Sequence, residues 1–275
     1  MKEKDELESI ARQIRTDIVK MTYQSGVKGA HLGGSLSITD ILAVLYGSVM
    51  QYDISDYENP YRDRLIISKA HAAMALYAAL HYAGFLSQED IDGAMRGESS
   101  FYEHPKKSLK HGIEFSGGSL GQGLSLGVGT ALALKKKKND KSRVFVVLGD
   151  GECNEGQVWE AASACTHFNL NNVTVIIDAN GLQYDGFDRE IMDQGNIKSK
   201  WESLGYETVE IDGHDVAELQ KELLKKGSTP RAIIARTVKG KGVSFAENEV
   251  TWHTGRLTDE LYHKAIEELT NDRDK

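Results

Sequence analysis

Residues 144–180 read VFVVLGDGECNEGQVWEAASACTHFNLNNVTVIIDAN, and this stretch decides the fold. The apolar run Val144 to Leu148 ends in Gly149-Asp150-Gly151. A helix-like segment follows, and a second apolar run, Val173 to Ile177, ends in Asp178-Ala179-Asn180. Short apolar runs separated by a helix are the pattern of parallel strands covered on both faces. Asp150 and Asn180 stand just past the two run ends, thirty positions apart, which is one β-α-β unit. In a parallel sheet both side chains emerge at the same edge, where ligands bind. A carboxylate and an amide oxygen converging there suit a hard cation such as Mg²⁺, which also takes oxygens from a phosphate. Gly151 lets the backbone approach that phosphate closely, and the helix beginning near Glu155 points N–H groups at the same anion. The segment therefore reads as a metal-diphosphate site.

Working outward, the chain alternates strands and helices. Ile10, Ile14, Ile18 and Val19 recur at helical spacing between Glu6 and Tyr23. Gly26 to Ser35 reads as a glycine-rich loop holding His31, and Ser37 opens a helix with Asp40 as its capping partner. Arg64 to Ile67 is a short strand ending at Lys69-Ala70-His71, before an Ala-rich helix through Leu80; Ser87 caps another helix. From Gly97 to Gly118 the periodicity is lost, and such a long loop, here with His104-Pro105 and His111, is a functional candidate. A small-residue helix runs from Leu120 to Leu134. Strands are expected at Glu207 to Ile211 and Ala232 to Ala235, with a helix capped by Asp215 between them. A glycine-rich loop, Lys239 to Thr254, precedes a last helix over roughly 258–269. The fold class is α/β, a three-layer, mostly parallel sheet with helices on both faces, in one domain over residues 1–275.

Bulk properties exclude several functions. The net charge of −8 over 275 residues, with no long basic run, argues against a nucleic-acid partner. No stretch approaches 18 continuous apolar residues, so no membrane span is expected. The charged N-terminus lacks an apolar signal core, and the two cysteines, Cys153 and Cys165, form no CxxC pair, which suggests a reducing, cytoplasmic setting.

The segments GDGECNEGQVWEA and NNVTVIIDANGL resemble the thiamine diphosphate motif of transketolases. SKAHAA, GSLGQGLS and KGKGVSF followed by WH extend that resemblance over nearly the whole chain. The resemblance implies thiamine diphosphate and Mg²⁺ (or Ca²⁺ or Mn²⁺) as cofactors, the metal being held by Asp150, Asn180 and the carbonyl of Leu182. It places Gly118 and Leu120 beside the cofactor rings, and Lys69, Gly151, Lys239 and His253 near the diphosphate. Glu155 and Glu160 become acidic residues linking the two halves of an active site across a subunit interface. His31, His71, His104 and His253 match histidines that grip substrate hydroxyls and relay protons, a task suited to imidazole. His81, His111, His167, His214 and His263 have no such match and read as structural or surface residues; Cys153, with no dyad around it, reads as a packed residue. Ala70 and Glu103 stand where the family usually has glycine, near the expected substrate funnel, which leaves the substrate open.

Transketolases are more than twice as long as this chain and carry a further pyrimidine-binding domain. The resemblance thus implies the N-terminal subunit of a split enzyme. It would be active as a heterotetramer holding two copies of this chain and two of a separate C-terminal subunit. The implied reaction moves a two-carbon ketol unit from a ketose to an aldose, free or phosphorylated. Two enzyme alternatives share the metal motif: the first component of a 2-oxo acid dehydrogenase, also often split in two, and deoxyxylulose-phosphate synthase, which is a single long chain; a reading from another class is a non-catalytic regulatory subunit. Four histidines and GSLGQG suit polyhydroxylated substrates better than a 2-oxo acid.

Overall fold

The computed structural model describes residues 2–97 and 99–271. Five strands form one sheet: β1 (Arg64–Ile67), β2 (Val144–Gly149), β3 (Val173–Ala179), β4 (Glu207–Asp212) and β5 (Arg231–Arg236). They pair in the order β1-β2-β3-β5-β4, and every pairing is parallel. In chain order the helices are α1 (Lys4–Gln24), α2 (Leu32–Leu36), α3 (Thr39–Val44), α4 (Ala73–Tyr82), α5 (Gln88–Gly93) and α6 (Gln122–Lys136). They continue with α7 (Gly156–His167), α8 (Asp188–Ile191), α9 (Ile197–Ser203), α10 (Val216–Leu224) and α11 (Asp259–Asn271).

Strand alternation divides the interior into two cores. Phe145, Val147, Ile176 and Ile233 face one side, packing with α1 to α5, α10 and α11. Val144, Val146, Val175, Ile177 and Ile234 face the other, packing with α6, α7 and α9. A period of two in side-chain direction lets a continuous apolar run feed both cores at once. The three-layer reading of the sequence is the architecture observed.

Several local expectations change. The glycine-rich segment is not loop throughout, because α2 begins at Leu32 inside it. Ser37 does not open a helix: it closes α2, its N–H donating to the Gly33 carbonyl (3.1 Å) and its hydroxyl to Asp178 Oδ2 (2.7 Å). Asp40 is not a capping partner either, but is buried against Arg15 and His214 (2.5 and 2.7 Å). Strand β3 runs two residues further than its apolar run, so Asp178 belongs to the strand. Leu32–Val49, with mean hydropathy 1.4, is long and apolar enough to cross a membrane, yet 89% of it is buried in this core. Two short helices and a wide turn at Leu45–Val49 break it, as befits a core segment.

Helix α6 lies very close to the sheet. A Cβ added at Gly123 would sit 2.6 Å from Ser68 Cα, on backbone that cannot swing aside. Helix propensity alone favours Gly→Ala by about 1 kcal/mol, whereas overpacking costs about 1–3 kcal/mol. Gly123→Ala is therefore expected to lower the thermal midpoint, and a raised midpoint would show that α6 can lift off β1.

Candidate functional site

Because the sheet is parallel, the ends of β1, β2, β3 and β5 open onto one edge. They deliver Ser68 and Lys69, then Asp150, then Asn180, then Thr237 to Lys239. Asp178, fully buried at the end of β3, ties these ends together. Its Oδ2 accepts from Lys69 Nζ (2.5 Å), Ser37 Oγ (2.7 Å) and Asn180 Nδ2 (3.0 Å), while Oδ1 accepts from Thr237 Oγ1. Burial opposes the charge on Asp178, but Lys69 and the surrounding donors outweigh it, so its carboxyl is held below its ordinary value.

Glu152 performs a similar task for the loop before α6. Its carboxylate accepts from Gly121 N (2.7 Å), Gly149 N (3.0 Å) and Ser68 Oγ (2.5 Å). Gly121 has φ +81, a left-handed conformation that glycine adopts without strain. The GSLGQG segment is thus fastened to the end of β2.

Between these supports lies a cavity of about 290 Å³. Lys69, His71, Leu120, Asp150, Gly151, Glu155, Asn180, Leu182, Lys239 and His253 all line it. Asp150 accepts from Gly151 N (2.9 Å) and Gly181 N (2.6 Å). Burial, followed by the nearby Asp188 and Asp178, raises its pKa to about 8. Asn180 Oδ1 accepts from Leu182 N (3.1 Å). Lys239 Nζ donates to the carbonyls of Leu182 (3.1 Å) and Gln183 (2.9 Å), and stands 2.9 Å from His253 Nδ1. Burial and repulsion from Lys69 lower the Lys239 pKa to about 8.

Two imidazoles, His71 and His253, line this cavity, and those of His31 and His104 stand beside them. The His31 ring lies 5.4 Å from those of His71 and His253 and 6.3 Å from that of His104; His71 and His253 are 5.2 Å apart. Burial, then the neighbouring lysines, holds His71 well below its ordinary value and brings His253 down to about 3. Burial also lowers His31, although Glu103, 3.3 Å from its Nδ1, works the other way. Neutral imidazoles present one donor and one acceptor each, which suits sugar hydroxyls.

Two of the remaining site expectations, Gly118 and Glu160, fall outside the cavity lining. Gly118 is exposed in the segment before Gly121, beyond the cavity lining, and Glu160 is exposed on α7. Glu155 lines the cavity from an exposed position. Sequence reasoning assigned no role to Asp178 or Glu152. The signal for Asp178 was an aspartate two positions before Asn180, within a strand otherwise apolar from Val173 on except for Thr174. Such a residue, buried on both faces of a sheet, has to be paired.

The family profile described as transketolase, thiamine diphosphate binding domain, matches residues 4–274. One apulose-4-phosphate transketolase subunit, from Actinobacillus succinogenes, is 37% identical over 270 residues, which cover 98% of this chain and 97% of that one. The 6-deoxy-6-sulfo-D-fructose transketolase subunit SqwG of Clostridium sp. is 37% identical over 242 residues, 87% of this chain and 88% of that one. The solved transketolase of Campylobacter jejuni is similar in fold, with a TM-score of 0.84 at 31% identity; the match covers 96% of this chain but only 42% of that one. The chain thus runs nearly the full length of the subunit-type relatives and less than half that of the solved enzyme. On the cavity, the sheet and these matches together, the chain belongs to the transketolase family, of which it is a thiamine diphosphate binding domain.

Proposed function

We propose that this chain is the diphosphate-binding subunit of a two-subunit transketolase, moving a two-carbon ketol unit between sugars or sugar phosphates. The observation that carries the reading is one cavity combining a strand-end carboxylate, two further oxygen donors, two ammonium groups and the rings of His71 and His253, with the His31 ring beside them. Asp150, Asn180 Oδ1 and the Leu182 carbonyl form an all-oxygen set, the preference of Mg²⁺. The fit of a cation is supported by the Asp150 carboxylate, which is buried beside Asp188 and Asp178 with only backbone N–H partners. Lys69 and Lys239 are the cationic partners for a diphosphate.

Thiamine diphosphate, when bound, supplies the electron sink for carbon–carbon cleavage. The residues of this chain take the roles nearest the diphosphate and the substrate hydroxyls. Lys239 faces His253 Nδ1, so that nitrogen accepts and the ring proton sits on Nε2. His31, His71 and His104 complete a cluster of imidazoles able to hold substrate hydroxyls.

A partner subunit carrying the pyrimidine-binding domain is part of the proposal, in a heterotetramer with two copies of each chain. The relatives from Actinobacillus succinogenes and Clostridium sp. are both named as subunits. Leu120 and Tyr184 line the cavity yet are exposed, and Phe187, Ile191 and Met192 continue this exposed apolar rim. A rim of that kind is a surface a protein partner covers.

The deciding experiment is a ketol-transfer assay on this chain co-expressed with the candidate partner, using thiamine diphosphate, Mg²⁺ and a panel of ketose and aldose substrates. Activity that needs both proteins is expected. A complex that instead decarboxylates a 2-oxo acid and transfers no ketol unit would overturn the reading.

Asp150 generates a second prediction. With a pKa of about 8 in the fold against an ordinary 3.8, it binds its proton more tightly folded than unfolded. It therefore costs the ligand-free fold stability progressively as pH rises between those two values. Asp150→Asn is expected to melt at a higher temperature than the wild type at pH 8 without ligand, with the difference closing towards pH 4. The same variant is expected to lose Mg²⁺-dependent thiamine diphosphate binding in calorimetric titration. Unchanged cofactor affinity would remove Asp150 from the cation site.

A further inference from the structure

Lys239 reaches the cavity from an irregular segment following β5, and a lysine on a loop is only as well placed as the backbone behind it. That backbone is held on both sides of Lys239 by one buried cluster. The N–H of Val238 donates to His214 Nε2 (2.8 Å), and Arg15 Nε donates to the carbonyl of Lys241 (3.2 Å). Both holders converge on Asp40 Oδ2, His214 through Nδ1 at 2.7 Å and Arg15 through Nη2 at 2.5 Å. Gly240 N, donating to the carbonyl of Gly33 (3.0 Å), adds a third tie to the same segment.

The hydrogen bonds fix the chemistry of the ring. Nε2 accepts from a backbone N–H, so the ring proton sits on Nδ1 and faces the Asp40 carboxylate. Only this tautomer satisfies both neighbours. Asp40 is 5% exposed, and the Arg15 guanidinium on the same Oδ2 holds the carboxylate against the ring. Neither His214, Asp40 nor Arg15 lines the cavity, and the chemistry above uses none of them.

We infer that His214 is a positioning residue: backed by Asp40 and Arg15, it fixes the 238–241 backbone and so aims Lys239 at the diphosphate. This rests on the reading of Lys239 as a diphosphate partner, and the test separates the two. Amide hydrogen exchange is measured on the full chain as wild type, His214→Ala and His214→Gln. Calorimetric titration with thiamine diphosphate and Mg²⁺ is made on the same proteins, on Lys239→Ala and on the double variant.

In His214→Ala, exchange at Val238 is expected to accelerate while the strands of the sheet keep their protection and the thermal midpoint holds. Cofactor affinity is expected to fall about tenfold, the scale seen when a supporting hydrogen-bond partner is removed. His214→Gln, which keeps a donor and an acceptor on one side chain, is expected to recover part of both losses. In the Lys239→Ala background the His214 change is expected to cost little more, since residues acting through one another are not additive. Unchanged exchange at Val238, or a full additional loss in the double variant, overturns the positioning role. If Lys239→Ala alone leaves affinity intact, Lys239 is not the diphosphate partner and the underlying reading falls instead. If His214→Ala melts early, His214→Gln and the exchange map decide between a general loss of structure and a local one.

Discussion

The buried pair between Lys69 and Asp178 is the constraint on which the site depends. Both groups lie out of water, where an unpaired charge is costly and breaking one partner costs about 3–5 kcal/mol. Asp178 offsets its burial with four donors, drawn from the end of β1, the junction of α2 and α3, the residue after β3 and the segment following β5. One carboxylate therefore sets the relative positions of strand ends that are far apart in sequence. Asn180 is oriented by it directly, and Lys69 is committed to the cavity floor by it. A hydrophobic substitute at position 178 would pack the same space and orient none of these groups.

How much of this was legible in the sequence depended on the range of the forces involved. The strands and their parallel pairing followed from apolar runs, since two-sided burial leaves a mark on every residue of β2 and β3. The strand-end placement of Asp150 and Asn180 followed from that pairing, by geometry. The histidine cluster was proposed from resemblance, and the fold brings His31, His71, His104 and His253 within neighbouring-ring distances. The roles of Asp40, Glu152, Asp178 and His214 were not legible. Each acts through a contact with residues distant in the chain, and nothing in local spacing marks a buried carboxylate that has found its partners. Ser37 and Asp40 show the failure plainly. Three residues apart before an apolar run they have the form of a helix cap, yet both side chains turn to tertiary partners that bind them more strongly.

The two supporting carboxylates also explain why the site can be rigid without ligand. Glu152 fastens Gly121 to the end of β2, and Asp178 fastens β1, β3 and the segment after β5, so the cavity walls are joined by hydrogen bonds beneath the floor. The groups that face the cavity are left less well satisfied. Asp150 has only backbone donors, and Lys239 rests on carbonyls and on the imidazole of His253. Stability is supplied behind the site and frustration is kept in front of it, the division expected where binding has to be rewarded.

That frustration carries both signs of charge, and the pairing of signs constrains how a ligand enters. A divalent cation arriving alone at Asp150 would meet the ammonium of Lys239, which already occupies the Leu182 carbonyl. A diphosphate arriving alone would leave Asp150 without a cationic partner. Between groups as buried as Asp150 and Lys239, each like-charge encounter is screened far less than in water. A cation already joined to a diphosphate presents each residue with its complement: metal to Asp150, phosphate oxygens to the lysines. It would also supply Lys239 with a better partner than the carbonyl it gives up. On the proposed reading of Asp150 and the lysines, charge complementarity favours capture of the metal-diphosphate unit as one body over sequential binding of its parts.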